Sequence, residues 1–330
     1  MHPWADMVKF ARSGGEANAI AVRIARAATG KDNVAICGYH GWHDWYLASN
    51  LGDSDGLTSH LLPGLEPAGV PEGLRGTVFP FQYNNFTELE KLVTKNDIGV
   101  IKMEVVRNVG PEDDFLVKVR KLADEKGIVL IFDECTSGFR ETFGGIHKKY
   151  GVEPDIAMFG KALGNGYAIT AVVGRRSVME SAQSTFISST FWTERIGPSA
   201  ALAALDVMEE LKSWETITES GKLVRQGIAD IADLHGLEIS HWGIPALCGY
   251  SFTNNHAFEC KTLVTQDMLS KGYLAGNSVY LSIEHTPEII SDFLCTLESS
   301  FAVVKSCLDN NDFESSLQGP VCHSGFKRLN

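Results

Sequence analysis

Residues 129–166 read VLIFDECTSGFRETFGGIHKKYGVEPDIAMFGKALGNG, and the endings of its two apolar runs decide the fold. The first run, 129–132, stops at the acidic pair Asp133-Glu134. The second, 156–159, is followed by Gly160 and Lys161, then by the turn Gly164-Asn165-Gly166. Both runs are short, continuously apolar and bounded by turn residues. That is the pattern of a strand covered on both faces, as in a parallel sheet.

Working outward toward the N-terminus, the same unit repeats. Residues 98–104 (IGVIKME) read as a strand ending in Glu104. Asp113-Asp114 precedes a helix with Leu116, Val119, Leu122 and Ala123 inward, closed by Gly127. Further strands are expected at 7–11, 34–37 and 77–81, the first of them short and buried. Thr87-x-x-Glu90 reads as a capping box opening a helix to Val93. Ala17, Ile20, Ala21, Ile24, Ala25 and Ala28 share one helical face, and Thr29-Gly30 stops that helix. Residues 50–77, rich in Gly, Pro, Ser and Asp, read as an irregular excursion.

Toward the C-terminus, a strand at 169–173 is followed by a short helix at 177–181 and a hydroxyl-rich loop at 188–193. After Gly197-Pro198 a long helix carries Ala200, Ala201, Ala204, Leu205, Met208 and Leu211 on one face. Another helix covers 216–234. From Leu237 the pieces shorten: strands at 246–253 and 278–283, and a helix at 287–304. The expectation is an α/β fold, a mostly parallel sheet covered by helices, in a large domain 1–235. A smaller α+β domain follows at 236–330.

In open parallel sheets, ligands bind beyond the carboxyl ends of the strands. Glu104, Asp133 and Lys161 all fall there. A lysine that can form a Schiff base and a carboxylate that can hold a ring nitrogen protonated are what a pyridoxal 5′-phosphate (PLP) site requires. Ser13-Gly14-Gly15, between a strand and a helix, suits a phosphate, since free N–H groups and the helix dipole favour an anion; a plain N-cap turn reads equally well there. Residues 39–46 (YHGWHDWY) offer a flat ring to stack on a cofactor or an aromatic core corner. His40 and His43 with Asp44 read as ordinary structural residues, since no carboxylate or cysteine set of metal-site spacing accompanies them. A phosphate-binding P-loop is excluded: Asp155 stands where its first glycine belongs, and Ala162 follows the lysine. Without it, Asp133-Glu134 loses its reading as a metal-binding pair of an NTPase.

A net charge of −12 over 330 residues argues against nucleic acid or an anionic membrane as partner. No apolar run approaches the roughly 18 residues of a membrane span. The first residues, MHPWAD, carry no signal-peptide pattern. Seven scattered cysteines without a CxxC read as reduced thiols, so a cytoplasmic location is expected.

Taken together, Ser13-Gly14-Gly15-Glu16-Ala17, Tyr39-His40-Gly41, 131–134 (IFDE) with Gly138-Phe139-Arg140, 150–155 (YGVEPD) and 159–166 (FGKALGNG) resemble the class III (subgroup II) aminotransferases of PLP fold type I, the glutamate-1-semialdehyde aminomutase-like branch. The likeness is continuous from about Met7 to Leu211. It implies that Lys161 is the Schiff-base lysine and proton carrier, and Asp133 the partner of the ring nitrogen. Ser13, Gly14 and Gly15 would hold the phosphate, Tyr39 and His40 the ring, and Glu104 would lie near the cofactor. Thr193 would reach the phosphate of a partner subunit, with Thr190 as a competitor, so a homodimer is implied. The implied reaction moves an amino group between a donor and a small oxo compound; the alternatives are an intramolecular shift, as in glutamate-1-semialdehyde 2,1-aminomutase, and PLP binding without turnover.

Three departures stand out. Gly15 replaces a serine or threonine of the family turn, Val105 replaces a proline after Glu104, and the Thr193 loop lacks the usual glycines. Family members also carry a long segment before the position of Met7. The resemblance therefore implies that part of the small domain and substrate pocket lies outside this sequence.

Overall fold

The computed structural model describes residues 1–52, 56–58, 60, 65–106 and 108–324, with the side chain at 190 left aside. Two compact units emerge, Met1–Glu210 and Leu211–Ser324.

The first unit is built on seven strands: β1 (Met7–Ala11), β2 (Asn33–Cys37), β3 (Val78–Pro80), β4 (Ile98–Glu104), β5 (Val129–Asp133), β6 (Ile156–Phe159) and β7 (Thr170–Gly174). Their order is β1-β7-β6-β5-β4-β2-β3. Strands β2 to β6 run parallel, whereas β7 is antiparallel to both β6 and β1. The register sets Glu104 opposite Asp133 and Asp133 opposite Met158. The carboxyl ends of β4, β5 and β6 are thereby aligned, and Lys161 lies two residues past the last of them.

Every residue of β4, β5 and β6 is buried, which accounts for their unbroken apolar runs. One face is covered by the helix Gly14–Thr29, whose Ala17, Ile20, Ala21, Ile24 and Ala25 are buried in the main core. The alanines let the helix axis approach the sheet closely. Ser13 caps its start and a left-handed Gly30 its end, donating to the Arg26 carbonyl at 2.8 Å.

Two local expectations are corrected. β1 is an edge strand rather than a buried one; only Ala11 is fully covered, because its sole neighbour is β7. The helix Phe86–Lys95 is capped by Asn85, not by Thr87: the Asn85 side chain accepts from the Glu88 N–H at 3.2 Å. Glu88 takes the Gln82 N–H at 2.8 Å, and the Asn85 N–H donates to the Gln82 carbonyl at 3.1 Å, so the helix starts on an Asn cap without the reciprocal bond of a capping box.

The second unit opens with the helix Ser213–Leu234. It continues as a three-stranded antiparallel sheet, β8 (Ile239–Trp242), β9 (Leu247–Phe252) and β10 (Ser278–Tyr280), ordered β10-β9-β8. The helices Ala257–Ser270 and Pro287–Asn310 complete it. The division at 210/211 precedes the expected 235/236 because the helix Ser213–Leu234 buries Ile217, Val224 and Ile228 in this unit's core. Gly221 allows the approach: a Cβ there would come within 1.9 Å of the Pro245 carbonyl oxygen. No helix among the described residues is long and apolar enough to cross a membrane.

Candidate active site

Asp133 ends β5 with its carboxylate turned into a largely buried cluster. The imidazole of His40 lies with Nδ1 2.9 Å from Asp133 Oδ2, and its Nε2 is 3.2 Å from the Cys37 carbonyl oxygen. The Cys135 N–H donates to Asp133 Oδ1 at 3.2 Å. Lys102, from the middle of β4, brings Nζ to 3.7 Å from Asp133 Oδ2 and to 3.1 Å from Met158 Sδ. His40 and Lys102 are both 0% exposed.

Burial alone would push the Asp133 carboxyl up. The Lys102 charge, the His40 hydrogen bond and the Cys135 N–H outweigh it and hold Asp133 below the usual carboxylate range. Burial, then the Lys102 charge, pushes the His40 imidazolium down to about 4. Lys102 itself is pushed down by burial against the pull of Asp133. The carboxylate therefore stays ionised and His40 stays neutral at physiological pH.

Lys161 stands in the turn after β6, in a left-handed backbone conformation with φ of 45°. A lysine there is strained, and such strain persists where surrounding structure enforces it. Its Nζ donates to Thr136 Oγ1 at 2.6 Å. Thr136 is three residues beyond Asp133, so one short turn carries the carboxylate and the lysine's hydrogen-bond partner. Cys135 ties the arrangement together. Its Sγ would lie 3.4 Å from a Cβ added at Gly160 and 4.0 Å from one added at Gly14.

That contact brings in the turn Ser13-Gly14-Gly15. The Ser13 hydroxyl accepts from the Glu16 N–H at 3.3 Å, and the Ser13 carbonyl from the Ala17 N–H at 3.0 Å. Gly14 and Gly15 precede the first donors used inside the helix, the place where an anion is bound. Thr170 fastens the turn to β7 by donating to the Ser13 carbonyl at 3.3 Å. A Cβ at Gly15 would meet the His43 ring at 3.0 Å. The imidazole occupies the space beside the hydroxyl-lacking position.

Tyr39 is 37% exposed and edge-on to Tyr46, with ring centroids 6.4 Å apart. Its N–H donates to Glu104 Oε2 at 3.0 Å. Gly38, at φ of 105°, makes room for that carboxylate: a Cβ would fall 2.5 Å from Oε2. A small cleft lined by Gly38, His60, Tyr83, Glu104 and Asn108 adjoins it.

Of the residues singled out from sequence, Asp133, His40, Lys161, Gly14, Gly15, Ser13, Tyr39 and Glu104 all lie on the strand-end side or the turn joined to it. Thr193 is exposed at the end of the short helix Thr190–Thr193, which is fastened to β1 through Trp192 Nε1 donating to the Phe10 carbonyl at 2.8 Å. It is not among the Asp133 contacts. The side chain of Thr190 lies outside the described residues. Sequence reasoning missed Lys102, Thr136 and His43. For Lys102 a signal existed, since a lysine inside an otherwise unbroken apolar strand requires a buried partner.

The residues fit PLP: a buried carboxylate held ionised for a ring nitrogen, an amine just past the end of the adjoining strand, and a glycine turn at a helix N-terminus for a phosphate. Known proteins agree. The model of the family "Aminotransferase class-III" matches residues 1–287. The chain is 30% identical over 323 residues to the 3-aminobutyryl-CoA aminotransferase of Cloacimonas acidaminovorans, covering 93% of this chain and 73% of that protein. It is 32% identical over 276 residues to the glutamate-1-semialdehyde 2,1-aminomutase of Methanosphaera stadtmanae, covering 80% and 63%. The solved FumI protein of Sphingopyxis sp., in a PLP-linked form, superposes with a TM-score of 0.83 at 25% identity, covering 96% and 73%. An omega-transaminase from Sphaerobacter thermophilus superposes with a TM-score of 0.79 at 21% identity, covering 92% and 75%, and shares the fold. The chain belongs to the class III aminotransferase family, whose cofactor is pyridoxal 5′-phosphate.

Proposed function

We propose that this chain moves an amino group between an amino donor and a small oxo compound, with Lys161 as the covalent anchor and proton carrier. The observation that carries the reading is the shared turn. Asp133 and Thr136 lie three residues apart, one ionised in the Lys102–His40 cluster, the other 2.6 Å from Lys161 Nζ.

When bound, PLP supplies an aldehyde that links to amines and a ring that draws charge from the adjacent carbon. The residues do the rest. Asp133, kept ionised, would hold the ring nitrogen protonated. Its other contacts, from His40 and the Cys135 N–H, fix the carboxylate plane. Thr136 would orient the Lys161 amine, which takes a proton from one carbon and returns it to another once released. Gly14 and Gly15 would hold the phosphate through backbone N–H groups, and Tyr39 would cover the ring. Glu104, fixed by the Tyr39 N–H, would border the substrate side.

Two copies would share their sites, with the exposed Thr193 reaching the partner's phosphate; sedimentation of the cofactor-loaded protein tests this. The seven cysteines, none of them in a disulfide, suit the cytoplasm.

Titrating PLP into the protein should raise a visible absorption band that Lys161→Ala lacks. A screen of amines should then remove that band, and an oxo acceptor should restore it. Absence of the band in the unsubstituted protein would overturn the reading. A band that no amine removes would leave cofactor binding without turnover. Relatives named glutamate-1-semialdehyde 2,1-aminomutase favour a second reading, an intramolecular shift. It predicts that one compound is converted with no second substrate present.

A further inference from the structure

Among the buried charges of the first unit, Lys102 has no part in the reaction described so far. It rises from the centre of β4, on the strand that also carries Glu104, and is 0% exposed. A lysine so placed is costly unless paired. Its Nζ has two partners, Met158 Sδ at 3.1 Å and Asp133 Oδ2 at 3.7 Å. The same Oδ2 faces His40 Nδ1 at 2.9 Å. One carboxylate oxygen is therefore shared by two cationic or potentially cationic groups before any cofactor arrives.

We propose that Lys102 is a built-in counter-ion of Asp133, which competes with the protonated ring nitrogen of the cofactor for that carboxylate. This deepens the reading above and rests on it, since Asp133 must be the partner of the ring nitrogen. Lys102 and a protonated ring nitrogen would both draw on this one carboxylate, whose other side-chain partner, His40, is neutral. Glu104 is the further acid felt by Lys102, and Cys135 the further thiol, its proton held on by burial. Both ring nitrogens of His40 face acceptors, but burial and then the Lys102 charge keep the imidazole neutral. With Lys102 as counter-ion, protonating the ring nitrogen yields less binding than it would beside an apolar residue. The ring is then a weaker electron sink, tuned by a residue that never touches it.

The test measures a difference that covalent linkage cannot blur. PLP and its 1-deaza analogue, in which CH replaces the ring nitrogen, share the aldehyde and the phosphate. Their Kd values, read from tryptophan fluorescence, should differ by less than about tenfold in the unsubstituted protein. In Lys102→Met the ratio of deaza to PLP Kd should rise by about tenfold or more, chiefly by tighter PLP binding. Lys102→Gln should behave alike, should the methionine variant fail to fold. If the ratio is unchanged in these variants while Asp133→Asn brings it near one, the inference is overturned and the role of Asp133 stands. If Asp133→Asn also leaves it unchanged, the reading of Asp133 fails and takes the inference with it. A ratio above about a hundredfold in the unsubstituted protein also overturns the inference without any variant.

Discussion

Asp133 and Glu134 are adjacent, acidic and buried, yet they belong to different regions of the molecule. Asp133 is the last residue of β5 and faces His40 and Lys102. Glu134 turns the other way and fastens the loop that follows. It accepts from Ser137 Oγ at 3.3 Å, the Ile146 N–H at 2.5 Å, the His147 N–H at 3.1 Å and His147 Nδ1 at 2.5 Å. His147 continues to Trp4, whose Nε1 lies 3.3 Å from its Nε2. Successive side chains leave an extended strand on opposite sides, so one pair of acids serves two purposes. Asp133 faces two side chains, Lys102 and His40, with a single backbone N–H, and Glu134 takes two backbone N–H groups of the following loop besides Ser137 and His147. The difference teaches where to look for chemistry: at the acid that ends the strand beside a buried lysine, and not at the one that holds a loop to the chain.

The largest effects should separate the two. Glu134→Ala strips four donors of their acceptor and should cost about 3–5 kcal/mol in denaturant unfolding. Glu134→Gln, which keeps an acceptor for the backbone, should cost about 1–3 kcal/mol. In both, the absorption spectrum of bound PLP should match the unsubstituted protein. Asp133→Asn should do the reverse, altering that spectrum and lowering turnover by about a hundredfold or more. A spectral change in Glu134→Gln without one in Asp133→Asn would reverse the assignment.

A smaller effect appears in acid, and both regions contribute. His40, on the Asp133 side, is pushed down to about 4 by burial and then by Lys102. His2, on the Glu134 side, is pushed down to about 3 by burial and then by His147; its Nε2 accepts from the Gly145 N–H at 3.3 Å. Unfolded histidines take up a proton near about 6.5. Between the two values the unfolded chain binds more protons, so stability is fully present above about 6.5 and falls as pH drops toward about 4. Asp133, depressed below its ordinary value, adds stability that is lost only at more acid pH. Either His40→Asn or His2→Asn should make the acid limb shallower, by at most about 1.4 kcal/mol per pH unit. Only His40→Asn should also change the affinity for PLP. Unfolding free energies measured from pH 7 to 4 would check this, and an acid limb unchanged in His40→Asn would contradict a neutral buried His40.

Much of the sheet was legible because covered strands must be apolar and end at polar turns. β4, β5 and β6 have the expected starts and ends, and their alignment puts Asp133 and Lys161 at the ends of adjacent strands. What sequence could not display were partners joined only by packing. Thr136 looked like one hydroxyl among many in CTSG, yet it meets Lys161. His40 read as a ring for stacking or a core residue, and its distinctive contact is a hydrogen bond to Asp133. The alanine face of the helix Ile196–Leu211 was legible only in part. Ala201 is buried and Leu205 and Met208 pack on a core cluster, but Leu211 at its end is exposed. Helical periodicity names a face; how far it is covered depends on what lies opposite.

The smallest effect concerns Gly15, on the Asp133 side of the comparison. Gly15→Ser restores a hydroxyl next to the N–H groups proposed to hold the phosphate. A neutral hydrogen bond contributes about 0.5–1.5 kcal/mol net, which sets a ceiling of about tenfold on tighter PLP binding. Against it stands the His43 ring, 3.0 Å from the new Cβ. That ring is half-buried, at the start of the short helix Asp44–Leu47, and no side-chain bond caps the helix there. It can therefore yield by a few tenths of an ångström. The gain should exceed the cost, so PLP Kd should fall by a few-fold, while unfolding free energy moves by less than about 0.5 kcal/mol. A rise in Kd at unchanged stability would mean that His43, and not a missing hydroxyl, is what the phosphate turn depends on. Double substitution with His43→Ala would then show the two positions to be coupled.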